Sequence, residues 1–322
     1  MHSTTRILTA ALAVGFALTL VGPALGQAPS TNYEKVGLLK WFPANQTATF
    51  PVETGPIAAA FDGENIWVVN SYNGNSGTVT KLRAADGQNL GSFSAGYFPD
   101  SIAFDGENIW VGAYNTNTVT KLRASDGATL ATYTVIKPNG MAFDGSNIWV
   151  SNQTGNSVTK LRASDGAVLG TFAVGQFPAG VTCDGTNIWV ANYGANTVTK
   201  LRASDGANLG TFVVEGGPEA SAFDGTNIWV VASSTNDFVV KLRASDGARL
   251  GIFRVGPFAR GIVFDGANIW VSLSNANSVT ELRLSDGANL GSFRAGSMPA
   301  GLAFDGAHVW VTNNGDGTAS KL

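Results

Sequence analysis

Charged side chains that could bind or activate a ligand recur at one kind of place in this chain, the links that precede short apolar runs. Three of them are the carboxylates Asp100, Glu215 and Glu219. A pair of carboxylates can act as acid and base in hydrolysis, and several that converge can hold a divalent cation. Lys137 and Arg260 occupy corresponding links. Charges of both signs can also orient a polar organic ligand without catalysis.

Aromatic residues accompany these charges in the same links. An apolar collar beside mixed charges is the lining that an organic-ligand or peptide site needs. The candidate ligand-binding residues are therefore Tyr97, Phe98, Asp100, Lys137, Phe177, Glu215, Glu219, Phe258 and Arg260. The alternative is a solvated loop rim with incidental aromatic residues, because exposed apolar side chains are common on protein surfaces.

The links recur because the chain is built from repeats of about forty residues. Each copy has one tryptophan at the same place: Trp67, Trp110, Trp149, Trp189, Trp229, Trp270 and Trp310. The gaps between them are 43, 39, 40, 40, 41 and 40 residues. A fixed period in this range indicates a repeat architecture. Residues common to all copies are explained by the fold, so a specific activity must lie where the copies differ.

Each copy contains four strand patterns. In one copy, residues 180–183 and 188–191 are apolar runs, 197–202 alternates as a half-exposed strand does, and 209–214 is a fourth strand. Asp-Gly-x-Asn and Ser-Asp-Gly sequences between them are turn chemistry. Four short antiparallel strands per copy predict an all-β, seven-bladed propeller. We expect the tryptophans to pack between blades.

The two ends of the repeat region complement each other. Residues 318–322 match the third strand of the other copies, and residues 47–52 match a fourth strand. Pairing of the two segments would complete blade seven and remove an open sheet edge. The predicted propeller domain is therefore 47–322, with a lead-in at 27–46.

The first 26 residues have the pattern of a secretory signal peptide. Arg6 precedes the apolar run 7–21, which is too short to span a bilayer comfortably. Small residues before Gln27 suit a signal peptidase. An uncleaved N-terminal anchor is the alternative. We expect a secreted or periplasmic protein without stable membrane insertion.

Composition argues against several partners and reactions. The net charge is −3, and no basic stripe exists to bind nucleic acid.

Cys183, the only cysteine, fills a slot that other copies give to phenylalanine, so we expect a buried apolar residue and no intramolecular disulfide. His308 is the only histidine after position 26, and no Gly-x-Ser-x-Gly sequence is present, which argues against a Ser-His-Asp hydrolase. One aspartate per turn is too few for a calcium site, so no metal or other cofactor is expected.

Two basic columns recur on the third strands. They are Lys81, Lys121, Lys160, Lys200 and Lys241, with Arg83, Arg123, Arg162, Arg202 and Arg243. We expect both columns to be solvated and paired with aspartates of the adjacent turns, which contributes little to stability. In the sixth copy Glu281 replaces the lysine, which interrupts any continuous anion-binding stripe.

The repeat resembles the forty-residue propellers related to the YVTN repeats, the NHL repeats and the virginiamycin B lyase family. The shared pattern is Pro-x-Gly-[Ile/Val/Leu]-Ala-Phe-Asp-Gly, then Ile-Trp-Val-x-Asn, then Asn-[Ser/Thr]-Val-Thr-Lys-Leu. It covers nearly all of the chain after residue 26 and implies a propeller. The lyase members use histidine and glutamate near a magnesium ion to open a cyclic ester by elimination. This chain departs from them, because His308 replaces a turn asparagine and no His/Glu pair matches.

Two functions from different classes follow. The first is a monomeric binding or scaffold module, with a small molecule, a glycan or a protein at the variable-loop face. The second is a metal-dependent lyase or lactonase-type hydrolase acting at the channel mouth. The lack of a recognisable catalytic constellation favours the first and leaves enzymatic activity open. The discriminating observation is whether three or more carboxylates converge at the axis.

Overall fold

Seven four-stranded antiparallel sheets form a ring. The computed structural model describes residues 47–71, 76–233 and 237–322, and strands β1 to β28 lie within them. The first strand of each sheet is innermost and contacts the first strands of the neighbouring sheets. β26 of the last sheet contacts β2 of the first, so the ring is closed. This confirms the all-β, seven-bladed propeller. The expected signal peptide and lead-in lie outside the described residues.

The strand bounds follow the repeat closely. Blade one has β2 (Pro56–Phe61), β3 (Asn65–Asn70), β4 (Thr78–Arg83) and β5 (Asn89–Ser94), and blade two has β6 (Pro99–Phe104), β7 (Asn108–Ala113), β8 (Thr118–Arg123) and β9 (Thr129–Thr134). Blade three has β10 (Pro138–Phe143), β11 (Asn147–Asn152), β12 (Ser157–Arg162) and β13 (Val168–Ala173), and blade four has β14 (Pro178–Cys183), β15 (Asn187–Asn192), β16 (Thr197–Arg202) and β17 (Asn208–Val213). Blade five has β18 (Pro218–Phe223), β19 (Asn227–Ala232), β20 (Phe238–Arg243) and β21 (Arg249–Arg254), and blade six has β22 (Ala259–Phe264), β23 (Asn268–Leu273), β24 (Ser278–Arg283) and β25 (Asn289–Arg294). Blade seven has β26 (Pro299–Phe304), β27 (Val309–Asn313), β28 (Thr318–Lys321) and β1 (Ala48–Pro51).

Two single-turn 3₁₀ helices lie at Gln153–Gly155 and Ser274–Ala276. No helix in the described ranges is long and apolar enough to cross a bilayer.

Blade seven is closed by the N-terminal strand, as the sequence predicts. β1 is the outermost strand of this sheet and pairs with β28, with Phe50 opposite Ala319. The ring of Phe50 lies 5.4 Å from that of Trp310. In each other blade an aromatic residue of the fourth strand lies against the blade's tryptophan in the same way, as Phe212 does with Trp189 at 5.7 Å. Phe50 therefore supplies the packing that the seventh copy lacks.

The Asp-Gly-x-Asn turns position the tryptophans. Asp62 accepts hydrogen bonds at Oδ1 from the backbone N–H groups of Glu64 and Asn65, at 2.9 and 2.6 Å. Its other oxygen accepts the indole N–H of Trp67 at 2.8 Å. The same indole bond recurs in all seven blades at 2.6 to 2.8 Å. Six of the seven tryptophans are fully buried, which confirms that the column is structural.

The lysine column is buried, so the expectation of a solvated column is wrong. Lys81 is only 7% exposed, and its Nζ lies 5.1 Å from the centre of the Trp67 ring. The same Nζ donates a 2.7 Å hydrogen bond to the carbonyl oxygen of Ala124, in the hairpin of the next blade. Five further lysines repeat both contacts: Lys121, Lys160, Lys200, Lys241 and Lys321. Each ammonium group thus joins two blades, whereas the arginine column forms exposed pairs with turn aspartates, as expected.

Blade six, whose neighbour is the composite blade seven, does not follow the lysine pattern. The acceptor for a lysine at position 281 would be the hairpin between the third and fourth strands of blade seven. Those strands, β28 and β1, come from opposite ends of the described chain and are not joined by a hairpin. Glu281 instead accepts a 2.7 Å hydrogen bond from Nδ2 of Asn268, and burial raises the pKa of its carboxyl group. Trp270 beside it is only partly buried.

Cys183 is half-buried rather than fully buried. It packs against an inter-blade cluster that includes Ile188 and Val190. Burial raises the pKa of its thiol, which disfavours the reactive thiolate. The residue therefore acts as a packing residue at the rim of the core.

Candidate functional site

The two ends of the ring differ in uniformity, as the repeat predicts. One end carries the Asp-Gly-x-Asn turns and the hairpins, which are nearly the same in every blade. The other end carries the links between blades and the loops between second and third strands, which differ from blade to blade. An asymmetric ligand needs a unique surface, which only the variable end provides. Binding residues on rigid scaffolds are concentrated in such variable loops.

The link residue before each inner strand adopts a left-handed backbone conformation. Its φ is 46° to 71° at Gly55, Phe98, Lys137, Phe177, Gly217, Phe258 and Met298. Non-glycine residues adopt this conformation at a cost of about 1–2 kcal/mol, yet five blades place a large side chain there. Hydrogen bonds hold the conformation: the N–H of Phe177 donates to Oδ1 of Asn156 in the preceding blade, and its carbonyl accepts from the N–H of Tyr193. The large side chains at these five link positions therefore project from a fixed backbone.

Four polar side chains meet in the central channel. They lie at the second residue of four inner strands and come from different blades: Asp100, Asn139, Glu219 and Arg260. All four line one cavity of about 430 Å³. The equivalent residues of the other three blades are Ile57, Ala179 and Ala300. We call these seven residues the channel ring.

The floor of the cavity below the channel ring is largely apolar. It is lined by residues two positions further along the inner strands: Ala59, Ile102, Met141, Val181, Ser221, Ile262 and Leu302. Ser221 is the one hydroxyl among them, and it lies 2.7 Å from the hydroxyl of Thr182. The cavity therefore combines charged and amide groups at the ring with hydrocarbon at the floor, as in sites for small organic molecules.

The charges of the channel ring are unevenly neutralised. Glu219 accepts a 2.6 Å hydrogen bond from the hydroxyl of Ser233, and its Oε1 lies 3.7 Å from Nε of Arg260. Asp100 has a weaker contact, a 3.5 Å hydrogen bond from Nδ2 of Asn139. Loss of solvation raises the pKa of Asp100 to about 6, with Arg260 lowering it and Glu219 raising it further. Raised carboxyl pKa values in cavities are common at functional sites.

A second cavity adjoins the first on the side of the loops. It has a volume of about 280 Å³ and shares Asn139, Glu219 and Arg260 with the channel cavity. Tyr193 and Phe258, both at least half exposed, lie in its wall. The two aromatic side chains and three polar members of the channel ring thus line the same cavity.

The structure brings four of the nine predicted residues to these cavities: Asp100, Glu219, Phe258 and Arg260. The other five do not line either one. Tyr97 packs edge-on against Phe98 at 4.8 Å, and Nζ of Lys137 lies 4.4 Å above the ring of Tyr114. Phe177 is 49% exposed. Glu215 lies 3.5 Å from Arg249 at the start of β21, and both side chains are largely exposed.

The sequence-based list omitted several residues of the site. Asn139 belongs to the same ring position as Asp100, and position within the repeat was enough to find it. Ser233 and Gln153 lie in the loops between second and third strands, which vary among the copies. The floor residues carried no signal, because apolar residues in a strand look the same whether they face a cavity or the core.

Among the described residues, no group of three or more histidine, cysteine, aspartate or glutamate side chains could hold a metal ion. Asp100 and Glu219 are the two carboxylates of the channel ring, and a third does not join them. His308, in a turn at the uniform end, lies 3.5 Å from Asp305. The convergence of three carboxylates that a metal-dependent enzyme would need is therefore not present in the described part of the chain.

Comparison with known proteins supports the fold. No family model matches the chain, and no curated protein is significantly similar to it in sequence. A solved structure of hydrazine synthase from Kuenenia stuttgartiensis is similar, with a TM-score of 0.72 and 16% sequence identity. The match covers 84% of this chain and 96% of that one. At this level of identity the likeness shows a common propeller architecture.

Proposed function

We propose that this protein is a binding module that holds one small polar organic ligand in its central channel, at the variable-loop end. The observation that carries the proposal is the channel ring, where Asp100, Asn139, Glu219 and Arg260 converge from four blades on one cavity. Nothing in the repeat requires these residues, because other blades have isoleucine or alanine at the same place. Convergent polar groups above an apolar floor give a ligand both orientation and contact area.

The size of the site supports a small molecule. The channel cavity of about 430 Å³ lies within the range of roughly 300–1,000 Å³ typical of small-molecule sites. The ring is asymmetric in charge, so a polar ligand would bind in one orientation. A glycan or protein segment could enter through the adjoining cavity, where Tyr193 and Phe258 offer aromatic surface.

Two further features of the proposal rest on the sequence. We infer export to the periplasm or the exterior from the basic start, the apolar run and the small residues before Gln27. We also infer kinship with the YVTN, NHL and virginiamycin B lyase group from the Ile-Trp-Val pattern of blades one to six and the Val-Thr-Lys-Leu pattern of blades one to four. The lyase reaction itself gains no support, because neither the His/Glu pair nor a three-carboxylate cluster is present among the described residues.

The proposal is tested by screening small organic molecules for those that raise the melting temperature, followed by calorimetric titration. We expect a stoichiometry of one ligand per chain, because the four polar residues of the channel ring converge on a single cavity. Ala substitutions at Asp100, Glu219 and Arg260 should each change the affinity by about tenfold, the effect of roughly 1.4 kcal/mol. Asp205→Asn is the control, since this carboxylate lies in an exposed hairpin of the uniform end. Binding that depends on Asp205 but on none of the three ring residues would contradict the proposal.

A further inference from the structure

The charges that face Asp100 leave the channel ring with an excess of negative charge. Each of the seven inner strands contributes one residue to the ring, and four of these residues are uncharged: Ile57, Asn139, Ala179 and Ala300. The charged members are Asp100, Glu219 and Arg260. With all three ionised the ring has a net charge of minus one, and this charge lies in a partly desolvated cavity.

The single cation of the ring is already engaged. Arg260 lies 3.7 Å from Glu219, which sits on the neighbouring inner strand β18. An anionic ligand would have to compete with Glu219 for this guanidinium and would approach Asp100 as well. Like charges brought together in a low-dielectric site repel strongly. The ring therefore disfavours anions.

Asp100 is the group that would gain from a ligand. The hydrogen bond that its carboxylate accepts from Nδ2 of Asn139 is long, at 3.5 Å. Loss of solvation raises the pKa of its carboxyl group to about 6. A cation beside this carboxylate would stabilise its ionised form, as water does for an exposed carboxylate. Because Asn139 donates its amide N–H to Asp100, its amide oxygen is an acceptor for the same cation.

The floor of the cavity favours an organic cation. Below the ring the cavity is lined by Ile102, Met141, Val181, Ile262 and Leu302. Hydrocarbon adds nothing to the binding of a metal ion, and the described residues offer no three-ligand cluster for one. It favours an apolar body, at about 25 cal/mol for each Å² removed from water.

We propose that the channel is selective for organic ammonium ions, with the ammonium group against Asp100 and Asn139 and the apolar body on the floor of the cavity. This rests on the proposed function, since it names the ligand class of the same site. Each ammonium N–H donates a hydrogen bond to a carboxylate or amide oxygen, and no covalent bond is made or broken.

The test uses three probes with a common phenyl group and different charge: 2-phenylethylamine, 2-phenylethanol and phenylacetate. Titration calorimetry at about pH 8 should show that the protonated amine binds about ten- to hundredfold more tightly than the alcohol, the range expected of a hydrogen bond to a charged group. Asp100→Asn should remove this preference. Arg260→Gln should strengthen amine binding, because it removes the only ring cation. Circular dichroism and the melting temperature confirm that each variant is folded.

A pH series adds an independent readout. As the pH falls from about 8 to about 5, Asp100 becomes protonated and the affinity of the wild type for the amine should fall, while Asp100→Asn should show no such change. Equal binding of amine and alcohol, or an amine affinity untouched by Asp100→Asn, would overturn the inference. Tighter binding of phenylacetate that is lost in Arg260→Gln would also overturn it, while supporting the channel as a binding site. If none of the three probes binds, the ammonium inference fails, and the ligand screen separately decides whether the channel binds anything.

Discussion

Lys321 in the third strand of blade seven donates a 2.7 Å hydrogen bond from Nζ to the carbonyl oxygen of Ala84 in blade one. The same ammonium group lies 5.4 Å from the centre of the Trp310 ring. The bond therefore joins the last blade to the first, as the other lysines of the column join consecutive blades. Together with strand β1 it closes the propeller.

We expect Lys321→Met to lower the free energy of unfolding by about 1.5–3 kcal/mol, the usual value of a hydrogen bond to a charged group. Chemical denaturation of the two proteins provides the measurement. Arg202→Ala is the matched control, because Arg202 forms only an exposed pair with Asp205. Such pairs contribute about 0–1 kcal/mol. The interpretation is wrong if the two substitutions have the same effect.

Removal of the N-terminal strand should open the ring. Deletion of residues 27–53 takes away the pairing of β1 with β28 and the packing of Phe50 on Trp310. The exposed sheet edge should cause aggregation or loss of cooperative unfolding, as seen by light scattering and thermal melts. Ala48→Ser, an exposed change within β1, should leave both properties unaltered. A deleted protein that stays monomeric with the parent melting temperature would exclude the closure by β1.

The tryptophan column provides an internal comparison. Trp189→Ala should lower the free energy of unfolding by about 3–5 kcal/mol, as other buried aromatic truncations do. Trp270→Ala should cost less, because Trp270 is only partly buried and has Glu281 rather than a lysine beside it. Equilibrium unfolding of both variants checks the order. The reverse order would show that the lysine contacts do not stabilise the tryptophans.

Ionised Asp100 should destabilise the folded, ligand-free protein at neutral pH. Its pKa is raised from 3.8 to about 6, mainly by loss of solvation, so between these values the folded chain binds more protons than the unfolded chain. Its contribution to stability therefore falls as the pH rises through this window. Asp100→Asn should raise the melting temperature by a few degrees at about pH 8 and have little effect near pH 3. Asp205, whose pKa is lowered by the backbone N–H of Ala207, should give no such gain when changed to Asn. An unchanged melting temperature of Asp100→Asn at about pH 8 would show that Asp100 is well solvated.

Much of the fold follows from the sequence because the repeat is regular. The strand read at 197–202 is β16 without change, and the neighbouring strands differ by one or two residues at their ends. The closure of blade seven could be predicted because residues 47–52 match a fourth strand. Seven copies of one pattern remove the ambiguity that a single apolar run would leave.

The lysine column shows what the sequence could not provide. Lys81 and Arg83 lie two residues apart and share a face of β4, yet Lys81 is 7% exposed and the Arg83 side chain is 40% exposed. The difference arises because the hairpin of blade two covers Lys81 and supplies its acceptor, the carbonyl of Ala124. A contact between blades is not visible in the alternation of one strand.

The candidate site was predictable only in part for the same reason. Asp100, Glu219 and Arg260 were found because they differ from the residues at equivalent positions of other blades. Glu215 differs in the same way, but its side chain lies beside Arg249 of the next blade, is largely exposed and lines neither cavity. The repeat shows where variation occurs, whereas the direction of each side chain depends on its partners in three dimensions.

A crystal structure of the complex with the tightest ligand from the screen tests the central claim most directly. The account predicts one ligand in the channel, with its polar group within hydrogen-bond distance of Asp100, Asn139, Glu219 or Arg260 and its apolar part on the floor formed by Ile102 and Met141. A ligand bound at the hairpins of the uniform end or on the outer strands, with the channel occupied by water alone, would contradict the account.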